Sequence, residues 1–177
     1  QLHCLPTEVL RQGEVFDEMR KQQAAGLIRH WGVSVESMEE ALICLEQDGL
    51  TSLQIIFNVF RRKPAEILFE KAKAMNIAII VRLPLASGLL SGKLSPDSTF
   101  SENDHRGFNA DGQFFNVGET FAGLGLDKGT ELADELKQFV PEGMSMATMA
   151  LRWILDFDGI TTIIPGASRV EQAHANA

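Results

Sequence analysis

The chain has 177 residues, 45% hydrophobic and 23% charged, and its 24 acidic against 16 basic side chains give a formal charge of −8. That length fits one ordinary domain or part of a larger one. An acidic balance without a basic stripe argues against nucleic acid and against a membrane surface, because both partners are held by clustered Lys and Arg. No apolar run approaches the roughly 18 residues needed to span a bilayer, and the N-terminal stretch has no targeting pattern. Cys4 and Cys44 lack any CxxC or Cys/His spacing. They read as buried thiols in a reducing, cytoplasmic setting, with no disulfide framework and no metal site. The chain has 11 Phe and no Tyr, so it offers no phenol for chemistry. It opens on Gln1 instead of Met, which gives the expectation of a piece of a longer protein.

In chain order, Gln1 to Leu5 reads as the end of a strand stopped by Pro6. Val15, Phe16, Met19 and Gln23 at helical spacing predict a helix over 14–25, with Gly26 as its stop. Leu27 to Ser34 predicts a strand, and Ser34 is expected to cap a helix over 36–47. Ser52 to Phe57 is rich in β-formers. Pro64 suits a first helical turn, and 65–75 reads as the next helix. The almost fully apolar run Ile77 to Leu83 predicts a strand buried on both faces, as in a parallel sheet. Residues 86–126 show no clear period, and a loop of that length is usually functional. Helices are expected over 127–139 and 145–156 and a short strand over 161–164. Ser168 with Glu171 has the spacing of a capping box for a terminal helix.

Strand starts near 1, 28, 52 and 77 fit βα units with right-handed crossovers, so the fold class is α/β with a parallel sheet. Five strands fit either an open doubly wound sheet or part of an eight-stranded barrel of about 250 residues. The phosphate-binding patterns GxGxxG and GxxxxGK[ST] are both absent.

An ordered series of motifs narrows this. Gln1-Leu2-His3 is followed by Gly26-Leu27-Ile28-Arg29, Gly32-Val33-Ser34, Gln54-Ile55-Ile56-Phe57-Asn58, Pro84 to Lys93 (PLASGLLSGK), Asp104-His105-Arg106, and Ile164-Pro165-Gly166-Ala167 with Gln172 and Asn176. The series resembles the aldo-keto reductases, NADPH-dependent (β/α)8 TIM-barrel oxidoreductases, from the fourth barrel strand to the eighth. The resemblance implies one partial domain over 1–177 covering about five βα units. It also implies that residues 86–126 form a long loop on the cofactor side.

The resemblance implies a role for particular residues. His3 would donate a hydrogen bond to a substrate carbonyl; otherwise it is a satisfied, half-buried histidine. Ser34 and Gln54 resemble the pair that holds the nicotinamide carboxamide, although Val35 stands where relatives commonly have Asn. Backbone N–H groups of Leu85, Ser87, Gly88 and Leu89, with Lys93 behind them, resemble a pyrophosphate cradle; a solvated Lys93 is the alternative. Gly166 and Ser168 would meet the ribose 2′-phosphate at the start of the last helix, with Arg169 either pairing with it or facing solvent. Gln172 and Asn176 share a helix face and could reach the adenine. Arg106 is a candidate for a loop closing over the cofactor. Arg82 stands where many relatives carry an aromatic against the nicotinamide. A guanidinium there would repel the cationic oxidised ring more than the neutral reduced one. Arg82→Trp is then expected to change the ratio of NADPH to NADP⁺ affinities, and an unchanged ratio would sink that idea.

The expected activity is reduction of an aldehyde or ketone with NADP(H) as cofactor and a small-molecule carbonyl compound as substrate. The family's proton donor is a tyrosine, which this chain lacks, so about three strands carrying Asp, Tyr and Lys are expected outside the sequence. The alternatives are a non-catalytic NADP(H)-binding or regulatory module and an inactive truncated fragment. An open half-barrel would expose sheet edges and apolar helix faces, which favours self-association.

Overall fold

A computed structural model describes residues 1–176. The chain divides into two compact units, the first built from 1–55, 63–81 and 157–162, the second from 56–62, 82–156 and 163–177.

The first unit begins with β1 (Leu2–His3), α1 (Thr7–Gln12) and α2 (Glu14–Ala24). The sequence predicts α2 but not α1. The two helices meet at Gly13, whose φ of 80° closes one and opens the other, a conformation that costs glycine little. Gly26 does stop α2, because Leu27 N–H reaches back to the Gln22 carbonyl at 3.1 Å in the pattern of a Schellman motif. The next strand, β2 (Trp31–Ser34), is fully buried and shorter than the expected 27–34; Leu27 lies out in solvent.

Ser34 is not a helix cap. It is the last residue of β2, and α3 (Met38–Leu45) is capped by Ser37. Ser37 Oγ accepts the Glu40 amide at 3.2 Å while Glu40 returns a bond to the Ser37 amide. This capping box satisfies two amides at once, an advantage that Ser34 with Ser37 three residues later could not offer. Cys44 on α3 is buried, and burial, with the Glu40 carboxylate second, pushes its thiol up to about 12, so it stays protonated. Cys4 is only half-buried, contrary to the sequence reading.

β3 (Leu50–Ile56) follows. The expected helix over 65–75 is two helices, α4 (Lys63–Ile67) and α5 (Phe69–Ala74), parted at Leu68, and then comes β4 (Ala78–Arg82). The core of this unit joins Phe16, Trp31, Val33, Leu53, Ile55, Leu68, Phe69 and Ile79, with Phe16 against Trp31 at 5.9 Å between ring centres.

The second unit holds a 3-10 turn at Ala86–Ser91, α6 (His105–Phe108), further 3-10 turns at Val117–Glu119 and Phe121–Gly123, α7 (Leu126–Leu136) and α8 (Met146–Leu155). Residues 86–126 therefore carry short turns and a single helical turn instead of a regular element. Its core gathers Ala86, Leu89, Leu90, Phe121, Ala133, Met146 and Ala150. Gly129 on α7 admits Leu89, since a Cβ there would stand 2.5 Å from its Cδ1. β5 (Thr162–Ile163) and α9 (Val170–Asn176) complete the chain.

The five strands form one sheet in the order β1-β2-β3-β4-β5. β1 and β2 pair in parallel, as do β2 and β3. Sequential order decides between the two architectures left open above. A doubly wound sheet reverses direction at a switch point and so permutes its strands, whereas consecutive βα units laid side by side form a wall of a barrel. The fold is α/β and matches part of a TIM barrel.

Candidate functional site

Three residues singled out in the sequence stand side by side in the first unit. His3 on β1 registers with Ser34 on β2, and Ser34 with Gln54 on β3. Neighbouring strands lie about 4.8 Å apart, so the three form a row across the carboxyl ends of the strands. Ser34 is buried, Gln54 half-buried and His3 exposed. The thiol of Cys4 lies 3.7 Å from Ser34 Oγ, and the chain turns there through a left-handed residue, Cys4 itself at φ 45°.

The second unit contains a cavity of about 780 Å³. It is lined by Arg82, Leu85, Ser87, Gly88, Lys93, Arg106, Gly166 and Gln172 from the sequence-derived set, together with Ser91, Asn103, Asp104 and His105. Leu89 is not on this wall; its side chain is in the core. Ser168, Arg169 and Asn176 are on α9 or just before it, outside the cavity lining.

Strained backbone lies in and beside the cavity lining, which includes Leu83 and Ser87 but not Ala86, Phe121 or Ala122. Leu83, Ala86, Ser87, Phe121 and Ala122 all adopt left-handed φ between 48° and 57°. Each such non-glycine residue costs on the order of 1 kcal/mol or more, and it persists only where the surroundings hold it. Here they do. Buried Asn58 donates to the Leu83 carbonyl at 3.0 Å, and Ser87 Oγ donates to the Glu119 carbonyl at 2.7 Å while accepting the Phe121 amide at 3.1 Å. Gly88 N–H donates to the Leu85 carbonyl at 3.0 Å, so it closes the turn instead of pointing into open space.

The charges of the cavity come in pairs with one exception. Arg106 clasps Asp104 with two bonds, Nε to Oδ1 at 2.9 Å and Nη2 to Oδ2 at 2.6 Å, and lies over the Phe100 ring with Cζ 4.4 Å from its centre. Such a two-pronged pair fixes a guanidinium in direction as well as place. Arg82 is buried and ion-paired with Glu119. That pairing offsets the charge by which a bare guanidinium would repel an oxidised nicotinamide. Lys93 is exposed and makes no ion pair among the described residues. Glu119 escaped sequence reasoning because it lies 37 residues from Arg82 with no motif around it.

The Arg106 hydrogen bond holds the Asp104 carboxyl down to about 2, against an ordinary 3.8, and burial opposes this only in part. Because the folded value is the lower one, the pair's stabilisation is complete above about pH 4 and is lost as pH falls through about 2. A carbon-detected NMR titration of Asp104 is expected to show a midpoint near 2, moving back toward 3.8 in Arg106→Ala. A midpoint of 3.8 in the unaltered chain would mean that the pair does not form in solution.

At α9 the expected capping box is differently made. Gln172 Oε1 accepts from Ser168 N–H at 2.8 Å, Ser168 Oγ at 3.0 Å and Arg169 N–H at 3.1 Å, so Gln172 takes the place expected for Glu171. Arg169 is the residue before the helix, which puts Gln172, not Glu171, at the box position. Asn176 donates to the Gly166 carbonyl at 3.4 Å.

A family model described as the aldo/keto reductase family matches residues 1–177. The chain belongs to the aldo/keto reductase family. It is 29% identical over 176 residues to aldo-keto reductase YhdN of Bacillus subtilis, covering 99% of this chain and 50% of that protein. It is 33% identical over 116 residues to L-glyceraldehyde 3-phosphate reductase of Escherichia coli, covering 62% of this chain and 30% of that one. Its fold is similar to that of aldo-keto reductase AKR11C1 from Bacillus halodurans in the holo form, with a TM-score of 0.71 and 22% identity over 99% of this chain and 50% of that one. The chain thus spans about half the length of the curated family relatives it matches first. Among the described residues no helix is long and apolar enough to cross a membrane.

Proposed function

We propose that this chain is the strand-4 to strand-8 part of an NADPH-dependent carbonyl reductase of the aldo/keto reductase family, acting on an aldehyde or ketone. The observation that carries the reading is the cavity of the second unit. In a protein of net charge −8, Arg82, Lys93 and Arg106 line one cavity together with the left-handed residues Leu83 and Ser87. With Arg82 offset by Glu119 and Arg106 by Asp104, Lys93 adds the charge not offset among the described residues, and such an arrangement of fixed guanidinium donors beside a lysine is suited to a polyanion such as a dinucleotide pyrophosphate. Lys93 and Arg106 would bind the phosphates, and Arg82 would border the nicotinamide.

The α9 donors fit a 2′-phosphate only after Gln172 Oε1 has swung away from Ser168 and Arg169, which makes that oxygen a stand-in for the anion. The reduced nicotinamide, when bound, supplies a hydride to the carbonyl carbon. Ser34 and Gln54 would orient its carboxamide, and His3 would donate a hydrogen bond to the carbonyl oxygen, withdrawing charge as the bond to hydride forms. The proton for that oxygen comes from a residue outside this sequence, since no Tyr is present. The setting is cytoplasmic, where reduced nucleotide is available.

The missing phenol supports a second reading, an NADP(H)-binding module without chemistry. One pair of measurements separates the two: quenching of Trp31 and Trp153 fluorescence by NADPH, and consumption of NADPH with a panel of aldehydes and ketones. Saturable quenching with turnover supports the enzyme, and quenching without turnover supports the module. Absence of both contradicts the whole reading.

A further inference from the structure

We propose that Glu119 is a positioning residue that sets how strongly the second-unit cavity favours reduced over oxidised nicotinamide nucleotide, through the charge it holds against Arg82; this rests on the functional reading above. Arg82, at the end of β4, is buried and lines the cavity, and a guanidinium keeps its positive charge at any pH a folded protein meets. Glu119 is ion-paired with it but does not itself line the cavity. Its carboxylate therefore changes the field at the cavity wall without touching a ligand. The oxidised nicotinamide ring carries one positive charge and the reduced ring none, while the phosphates of the two nucleotides are alike. The ratio of their affinities accordingly reads the field at the ring.

Two features separate this pair from one that only fastens a loop. The turn that carries Glu119 is already held through its backbone. The Glu119 amide donates to the Asn116 carbonyl at 2.9 Å, the Glu119 carbonyl accepts Ser87 Oγ at 2.7 Å, and Asn116 Oδ1 accepts the Gly118 amide at 2.8 Å. Gly118 packs so closely on Arg61 that a Cβ there would overlap the guanidinium. None of these contacts uses the Glu119 carboxylate. The second feature is burial: the side chains of Arg82 and Glu119 are only 10% and 22% exposed. An ion pair in that setting is a poor fastener, because desolvating two charges cancels most of what their attraction contributes. What it does supply is a fixed potential where Arg82 meets the cavity, and a partly buried site transmits that potential further than water does.

The test is a charge cycle. Glu119→Gln, Arg82→Met and the double variant are compared with the unaltered chain, their folds checked by far-ultraviolet circular dichroism. Each is titrated calorimetrically with NADPH, NADP⁺ and 2′,5′-ADP, the last lacking the nicotinamide. Glu119→Gln keeps the shape of the side chain and removes its charge, so the ratio of NADPH to NADP⁺ affinity is expected to rise about tenfold, the effect of a unit charge within about 10 Å in a partly buried site. Arg82→Met should lower the ratio, and the double variant should return it to near the unaltered value. Affinity for 2′,5′-ADP should stay within about twofold throughout. If Glu119→Gln does not fold, the double variant against Arg82→Met reads the same carboxylate. A ratio that ignores the Glu119 charge overturns the proposal while the nucleotide reading stands, and so does equal weakening of all three ligands, the mark of a loop fastener. If the unaltered chain binds neither nucleotide, both fall.

Discussion

Gly32→Ala is expected to lower the stability of the chain by about 3 kcal/mol. Gly32 sits in the middle of β2, where the register with β3 shifts between Trp31 and Gly32. Glycine inside a strand commonly marks such an irregularity or a close backbone approach, and here it marks both. A Cβ at this position would stand 2.1 Å from Ser52 Oγ and 2.5 Å from the Ser52 carbonyl oxygen. The hydroxyl can rotate away, but the carbonyl belongs to the neighbouring strand and moves only with it. Since Ser34, two residues on, registers with both His3 and Gln54, displacing β2 also disturbs the row at the strand ends. For a chain of this size the midpoint of thermal unfolding should fall by roughly 6 to 12 °C. Gly166→Ala is the control: nothing lies within 4 Å of its Cβ and its φ is not left-handed, so its effect should stay below about 0.5 kcal/mol. Equal midpoints for the two variants would mean that β2 and β3 do not approach as described.

Arg106→Ala is expected to weaken NADPH binding roughly 30-fold, about 2 kcal/mol, more than Lys93→Ala at roughly tenfold. Lys93 contributes a solvated point charge, whose loss removes an attraction. Arg106 contributes that attraction and also neutralises Asp104, whose carboxylate lines the same cavity. Removing the guanidinium therefore leaves a negative charge facing the phosphates, besides losing the packing on Phe100. Asp104→Asn added to Arg106→Ala should accordingly recover most of the extra loss and bring affinity back toward the Lys93→Ala level. Fluorescence titration with NADPH measures all four proteins. If the double variant binds no better than Arg106→Ala, the repulsion argument fails.

The elements legible in the sequence were those whose signal is local. α8 (Met146–Leu155) is capped by Ser145 and closed at Asp156, as the apolar spacing and the serine indicate. β4 announces itself by the apolar run Ile77 to Leu83, within which the strand spans Ala78–Arg82. Where two local signals compete, the sequence misleads. Ser34 and Ser37 both precede the apolar face of α3, and only Glu40, three residues after Ser37, decides between them. Ser168 with Glu171 has the right spacing by residue type, but the helix starts one residue later and Gln172 takes the place. Long-range pairings leave no local trace. Glu119 reaches Arg82 and Ser87 across more than thirty residues of irregular chain, and that latch beside the cavity is not written in any periodicity. The motifs that resemble the aldo-keto reductases placed His3, Ser34 and Gln54 in one row and eight further candidates around one cavity, because short motifs at strand ends are brought together by the βα repeat itself.

Backbone amide chemical shifts recorded during an NADPH titration test most directly whether the cavity of the second unit holds NADPH. Saturable shifts are expected, concentrated at Gly88, Ser91, Lys93, Asp104 and Arg106, together with Ser168 and Arg169 as Gln172 gives up their amides. Shifts confined to the separate groove lined by Leu42, Leu45, Lys71 and Met75 between α3 and α5, or no saturable shifts at all, would contradict NADPH binding in that cavity.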